Sequence, residues 1–149
     1  MKKKELPQLK LSNQLCFSLY SLGLSVTRLY RPHLEKLGLT YPQYIAMLVL
    51  WEKDPITVNE IGEELNLDSG TLSPLLKKLE SLEVISRERD PEDERRVIVK
   101  LTKKGKDLRN KAEEIPFNIM CGMGLDVDKL TKLREELQDL NKAVKKSLT

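Results

Sequence analysis

Two cysteines and a group of tyrosines are the side chains in this 149-residue sequence best suited to chemistry. Cys16 lies about four residues after Ser12, a good helix-capping residue, at the start of a long apolar-striped segment. Exposed N–H groups at a helix start favour a thiolate, although the effect fades beyond the first turn. A thiolate is the reactive form of a cysteine. Phenol donors favour the charged form further, and Tyr20, Tyr30 and Tyr41 are the candidates. Tyr30 stands 14 residues beyond Cys16. That is roughly 21 Å along a continuous helix, so Tyr30 reaches such a thiolate only from a second subunit. Composition alone leaves a buried, inert cysteine as the simpler reading of Cys16. Cys121 is far away in sequence, C-x-x-C is absent and His33 is the single histidine, so neither a metal site nor a cofactor is expected. A structural disulfide does not suit a reducing cytoplasm, which leaves packed thiols or redox chemistry.

The elements that must position these groups follow from periodicity and punctuation. A helix is expected from Ser12 to about Leu37, with Pro32 kinking or interrupting it and Gly38 as its stop. Thr40 caps a second helix over Tyr41 to Lys53, ended by Asp54-Pro55. Thr57 and Glu60 form a T-x-x-E capping box for a short helix that breaks at Asn66-Leu67. Asp68 or Ser69 caps the next, whose Leu72, Leu75, Leu76, Leu79 and Leu82 recur at helical spacing. Two β-rich runs, Val84-Ile85-Ser86-Arg87 and Val97-Ile98-Val99-Lys100-Leu101, flank the charged turn DPEDERR. Thr102 caps a further helix that Pro116 interrupts, and Cys121-Gly122-Met123-Gly124 loosens the chain. Asp126 or Asp128 starts a last helix with Leu130, Leu133, Leu137, Leu140 and Val144 on one face.

The fold class is therefore mainly α with a small β-wing. A winged helix-turn-helix over about 56–101 is flanked by helices at about 9–37 and 103–149, all within one domain spanning 1–149. The flanking helices carry apolar faces without an evident partner inside the module, so they are expected to join two copies into a homodimer. Such a module lays its second helix in the major groove and its wing along the backbone or minor groove of double-stranded DNA. In that helix Ser69, Gly70, Thr71, Ser73, Lys77 and Lys78 are the candidate contacts, and in the wing Asp93, Arg95 and Arg96. An arginine at the wing tip suits the narrow minor groove, with Asp93 orienting Arg95. Net charge is only +3, so charge by itself does not establish a nucleic-acid partner. No run of about 18 apolar residues marks a membrane span, and no signal peptide is read in MKKKELPQLKLSNQL, so the expected location is the cytoplasm.

The segments SNQLCFSLYSL, LTYPQYIAMLVLWE, LDSGTLSPLLKKLE and DPEDERRVIVKLT, in this order over nearly the whole chain, resemble the MarR family. More narrowly they resemble its organic hydroperoxide sensors, the OhrR-type repressors. The resemblance implies that Cys16 is the reactive cysteine, that Tyr30 and Tyr41 serve it across the dimer with Tyr20 nearby, and that Arg95 enters the minor groove. It further implies that Cys121 is the resolving cysteine of the two-cysteine class. The function implied is a redox-sensing repressor that binds palindromic operator DNA and is released by organic hydroperoxide. Two alternatives stay open. One is a repressor responsive to phenolic ligands, and the other a thiol peroxidase, for which no companion Arg, Thr or Glu motif is evident.

Overall fold

The computed structural model describes residues 6–148. After two 3-10 turns, Pro7–Leu9 and Leu11–Asn13, the elements are α1 (Leu15–Glu35), α2 (Tyr41–Glu52), β1 (Ile56–Thr57), α3 (Val58–Leu65), α4 (Ser69–Ser81), β2 (Ile85–Arg89), β3 (Val97–Leu101), α5 (Lys103–Ala112), α6 (Ile115–Met123) and α7 (Val127–Ser147). The three strands form an antiparallel sheet in the order β1-β3-β2. The architecture is that of a winged helix-turn-helix with helices before and after it. The two-residue β1 was not expected, because Ile56-Thr57 is too short to show an alternation. Its pairing with Val99 and Ile98 makes the β-wing three-stranded at its base.

The chain divides into two compact units, Met1–Glu113 and Glu114–Thr149. In the first, one cluster of buried residues includes Met47 and Leu50 of α2, Ile61 of α3, Leu72, Leu76 and Leu79 of α4, Ile85 of β2, Val99 of β3 and Leu108 of α5. Burying leucines spaced by three and four residues sets the rotation of α4, and with it the face left to solvent. In the second unit Ile115 and Ile119 of α6 are buried, whereas α7 buries none of its side chains.

Local rules explain most boundaries. Thr40 and Gln43 form a capping box on α2, and Thr102 accepts the Gly105 N–H at 3.0 Å to cap α5. Three expectations need correction. First, α1 starts at Leu15 with Gln14 as cap, not at Ser12. Asn13 donates to the Pro7 carbonyl at 2.8 Å and Gln14 to the Gln8 carbonyl at 2.7 Å, winding the preceding segment into tight turns. Second, Pro32 does not interrupt α1, which runs on to Glu35. Third, Cys121 to Met123 is helical. The expected interruption at Pro116 is present, since α5 ends at Ala112; Pro116 then sits at the second position of α6, where its missing N–H would have had no helical acceptor, so it also starts the next helix. The chain turns only at Gly124, whose φ is +66°.

Gly105 marks the closest approach in the first unit. A Cβ there would lie 2.0 Å from the Val84 carbonyl oxygen. The same helix turn is held by Trp51, whose indole N–H donates to the Gly105 carbonyl at 2.9 Å. Gly105→Ala must therefore push α5 off the strand entry, and is expected to cost about 1–3 kcal/mol. The urea midpoint reads this; a midpoint equal to wild type would show that the contact yields freely.

Candidate nucleic-acid interface and thiol site

The two helices of the reading module are set at defined angles by their ends. At the start of α3, Thr57 accepts the Glu60 N–H at 3.3 Å, and the Glu60 carboxylate accepts the Thr57 N–H at 2.9 Å. At its end Asn66 takes the left-handed conformation, φ 53°, and Leu67 donates to the Gly62 carbonyl at 2.9 Å. Of the two expected caps for α4, Asp68 is the one used, accepting the Thr71 N–H at 2.8 Å and the Thr71 hydroxyl at 3.1 Å. With Leu72, Leu76 and Leu79 buried, the exposed side of α4 carries Ser69, Gly70, Thr71, Ser73, Pro74, Lys77 and Lys78. All the helix residues named from the sequence thus share the solvent side.

The wing is built to hold one arginine outward. Strands β2 and β3 pair from Ile85↔Leu101 to Arg89↔Val97. The turn between them is closed by Asp90 N–H to the Arg96 carbonyl at 3.0 Å and Arg96 N–H to the Asp93 carbonyl at 2.8 Å. Asp93 accepts from the Arg95 backbone at 3.1 Å and from its guanidinium at 3.0 and 3.3 Å. The Arg95 side chain is nonetheless 90% exposed, so the pair orients the guanidinium without covering it. Arg96 instead lies 3.6 Å from the nearly buried Asp90 carboxylate at the base of the turn. Sequence reading missed two positioning contacts. Asp90 also accepts the Glu92 N–H at 3.0 Å, and Arg87 of β2 reaches Glu80 of α4 at 2.6 Å, tying wing to helix. The D-P sequence was a usable signal for the first; the second joins elements that only folding brings together.

Four carboxylates, of Glu60, Asp68, Glu80 and Asp93, are held below their ordinary range. The Thr57 hydroxyl does this for Glu60, the Thr71 N–H for Asp68, the Arg87 guanidinium for Glu80 and the Arg95 guanidinium for Asp93. A depressed folded value contributes stability that is present above the unfolded value and is lost as pH falls through the folded one. The reading module should therefore hold its stability from pH 7 down to the ordinary values of 4.5 for Glu and 3.8 for Asp, then lose it below them. Urea midpoints across this range for wild type and Asp68→Asn check this. The variant should be less stable at pH 7 and fall less steeply in acid.

The thiol site is set by the start of α1. Cys16 is exposed and is the second residue of the helix, and no side chain caps that end. It therefore stands within the first turn, where N–H groups lack helical acceptors, and not beyond it as the expected Ser12 cap implied. Tyr20 lies one turn on and is exposed. Tyr30 and Tyr41 pack edge to face at 4.9 Å, with Tyr44 at 5.7 Å from Tyr30 and fully buried. Burial, then the neighbouring Tyr41, raises Tyr30 to about 12, so its phenol keeps its proton at any working pH. Because α1 is continuous, Tyr30 stands roughly 21 Å along the helix from the Cys16 of its own chain. Cys121 is exposed in the second compact unit. Among the described residues no group of three His, Cys, Asp or Glu is placed to hold a metal ion, and no helix is long and apolar enough to cross a membrane.

Residues 28–115 match the family model of the transcriptional regulators SarA/Rot. The chain is 46% identical over 132 residues to the organic hydroperoxide resistance transcriptional regulator of Bacillus subtilis, covering 89% of this chain and 90% of that one. Among solved structures it is similar to AbfR, a protein of Staphylococcus epidermidis. Reduced AbfR bound to DNA is 37% identical, with a TM-score of 0.77 over 93% of this chain and 96% of that one. Disulfide-formed AbfR is 35% identical, with a TM-score of 0.61 over 95% and 94%. These relatives are regulators, not enzymes. A winged helix-turn-helix with an outward wing arginine, matched over nearly its full length by such proteins, belongs to the SarA/Rot family of MarR-type transcriptional regulators.

Proposed function

We propose that this regulator is a dimeric repressor that holds palindromic operator DNA while Cys16 is reduced and leaves it when an organic hydroperoxide oxidises that thiol. The observation that carries this reading is Cys16 exposed in the uncapped first turn of α1, in a chain so similar to an organic hydroperoxide resistance regulator. The Cys16 thiolate attacks the outer peroxide oxygen and a proton goes to the leaving alkoxide, giving sulfenic acid and an alcohol. The thiol of Cys121 of the partner subunit then condenses with the sulfenic acid, forming a disulfide and releasing water. Tyr30 and Tyr41 of one subunit donate to the Cys16 thiolate of the other. Such a repressor works in the cytoplasm, where thiols are kept reduced.

The dimer is supported by apolar side chains that one chain leaves exposed, Leu15, Phe17, Leu22 and Leu24 on α1 and Leu133 and Val144 on α7. On DNA, Arg95 enters the minor groove, Ser69, Gly70, Thr71 and Ser73 approach the bases, and Lys77 and Lys78 neutralise phosphates. Arg96 acts through Asp90 as the wing's anchor.

Operator binding with and without an organic hydroperoxide, in wild type and Cys16→Ser, tests the reading. Non-reducing electrophoresis after one equivalent of peroxide tests the resolving step. A covalent dimer is expected from wild type and none from Cys121→Ser; a monomer band from fully oxidised wild type would remove the intersubunit bond but keep Cys16 as sensor. A second reading, ligand-triggered release, is favoured by a cavity of about 430 Å³ lined by Thr27, Arg28, Arg31, Leu39 and Tyr41. Release by a phenolic ligand that survives loss of both cysteines would select it.

A further inference from the structure

The exposed side of α4 has an unusual chemistry for a helix meant to read bases. The side chains that pair bidentately with guanine or adenine are arginine, lysine, asparagine and glutamine. Over Ser69–Ser81 there is no arginine, asparagine or glutamine. The one acid, Glu80, which would accept from cytosine, is held by Arg87 at 2.6 Å. Lys77 and Lys78 stand two turns into the helix, whereas base contacts in this type of module come from the first turns. The Thr71 hydroxyl donates its hydrogen to Asp68 at 3.1 Å, so what Thr71 has left to offer DNA is a single acceptor oxygen and its methyl group. Beside it, Pro74 offers an apolar ring.

Pro74 is notable for a second reason. It is the sixth residue of the helix, where its ring leaves the Gly70 carbonyl without a helical donor. Proline is the least favourable residue at a helix interior, and Pro74 is exposed, so it is not there to fill the core. Gly70, also exposed, keeps that side of the first turns flat. A surface that breaks helix preferences where packing does not require it is a surface shaped by what it touches.

Resting on the DNA-binding reading above, we infer that α4 identifies thymine by its 5-methyl group, through the Thr71 methyl and the Pro74 ring, in place of bidentate hydrogen bonds. Apolar contact is the recognised way to distinguish that methyl in the major groove. Ser69 and Ser73 bond to any base within reach and add little discrimination.

The test uses full-length reduced protein. A preferred duplex is selected from a random pool, and each thymine of one half-site is then replaced singly by deoxyuridine, which removes only the methyl. At one or two positions wild type should bind the uracil duplex about three- to tenfold more weakly. Thr71→Ser keeps the hydroxyl that caps the helix, and Pro74→Ala improves helix preference, so both should fold. One of them should bind thymine and uracil duplexes alike at the sensitive position, with the affinity wild type shows for uracil. Sensitivity at no thymine, or sensitivity that survives in both variants, overturns the inference. A pool that yields no preferred sequence overturns it by removing the DNA-binding reading beneath it, a failure distinct from the other two.

Discussion

Cys16→Ser should bind operator DNA as tightly as the wild-type protein and stay bound through a hydroperoxide treatment that releases wild type completely. The substitution replaces one sulfur at an exposed site, so folding and the reading surface are left in place. What it removes is the nucleophile, because a serine hydroxyl remains protonated and does not form the sulfenic acid on which the proposed release depends. The effect is a loss of response, not a shift in affinity. Tyr30→Phe and Tyr41→Phe should show a graded version. Each keeps the ring pair packed at 4.9 Å while withdrawing one phenol donor, so oxidation slows at unchanged stability. Titrating operator-bound protein with hydroperoxide and following anisotropy reads all of these. Peroxide-driven release of Cys16→Ser would show that another group senses the oxidant.

Arg95→Ala should weaken operator binding by about 1–3 kcal/mol for each wing, and in the proposed dimer the substitution removes both wings at once. The reason lies in its setting. The guanidinium is held by Asp93 yet 90% exposed, so its orienting cost is met before DNA arrives. Asp93→Asn should give part of the same loss, because it keeps the turn's backbone contact but weakens the hold on Arg95. Lys77→Ala is the control of different kind. It should weaken specific and non-specific DNA by similar factors and lower the salt slope by about one. Equal operator affinity for wild type and Arg95→Ala would take the wing out of recognition.

Much of this was legible because it depends on short-range chemistry. The Thr57–Glu60 box, the stop at Gly38 and the leucine spacing of α4 are local patterns, and the folded chain uses each. The side of α4 that meets solvent followed from the same spacing, since burying Leu72, Leu76 and Leu79 leaves the small polar residues nowhere else to go. Local rules failed where two were in competition. Ser12 is a good cap, but Asn13 and Gln14 side chains bond back to Pro7 and Gln8 carbonyls and delay the helix to Leu15. At Pro116 the interruption is local and legible, but the same proline also fits the start of a new helix, which carries on through Cys121-Gly122-Met123 to the turn at Gly124.

The sequence by itself determined the kind of reader this protein is: the order of its helices, the wing, and an early cysteine with Tyr30 too far along the helix to reach it within one chain. Only the tertiary structure decided how those parts are held. It brought Tyr30 and Tyr41 from two helices to 4.9 Å, turned Arg96 to Asp90 across the wing, and tied β2 to α4 through Arg87 and Glu80. The physical reason is range. Caps, breaks and apolar stripes are settled within one or two turns of chain, whereas these contacts join elements whose approach is set by burial of a shared core.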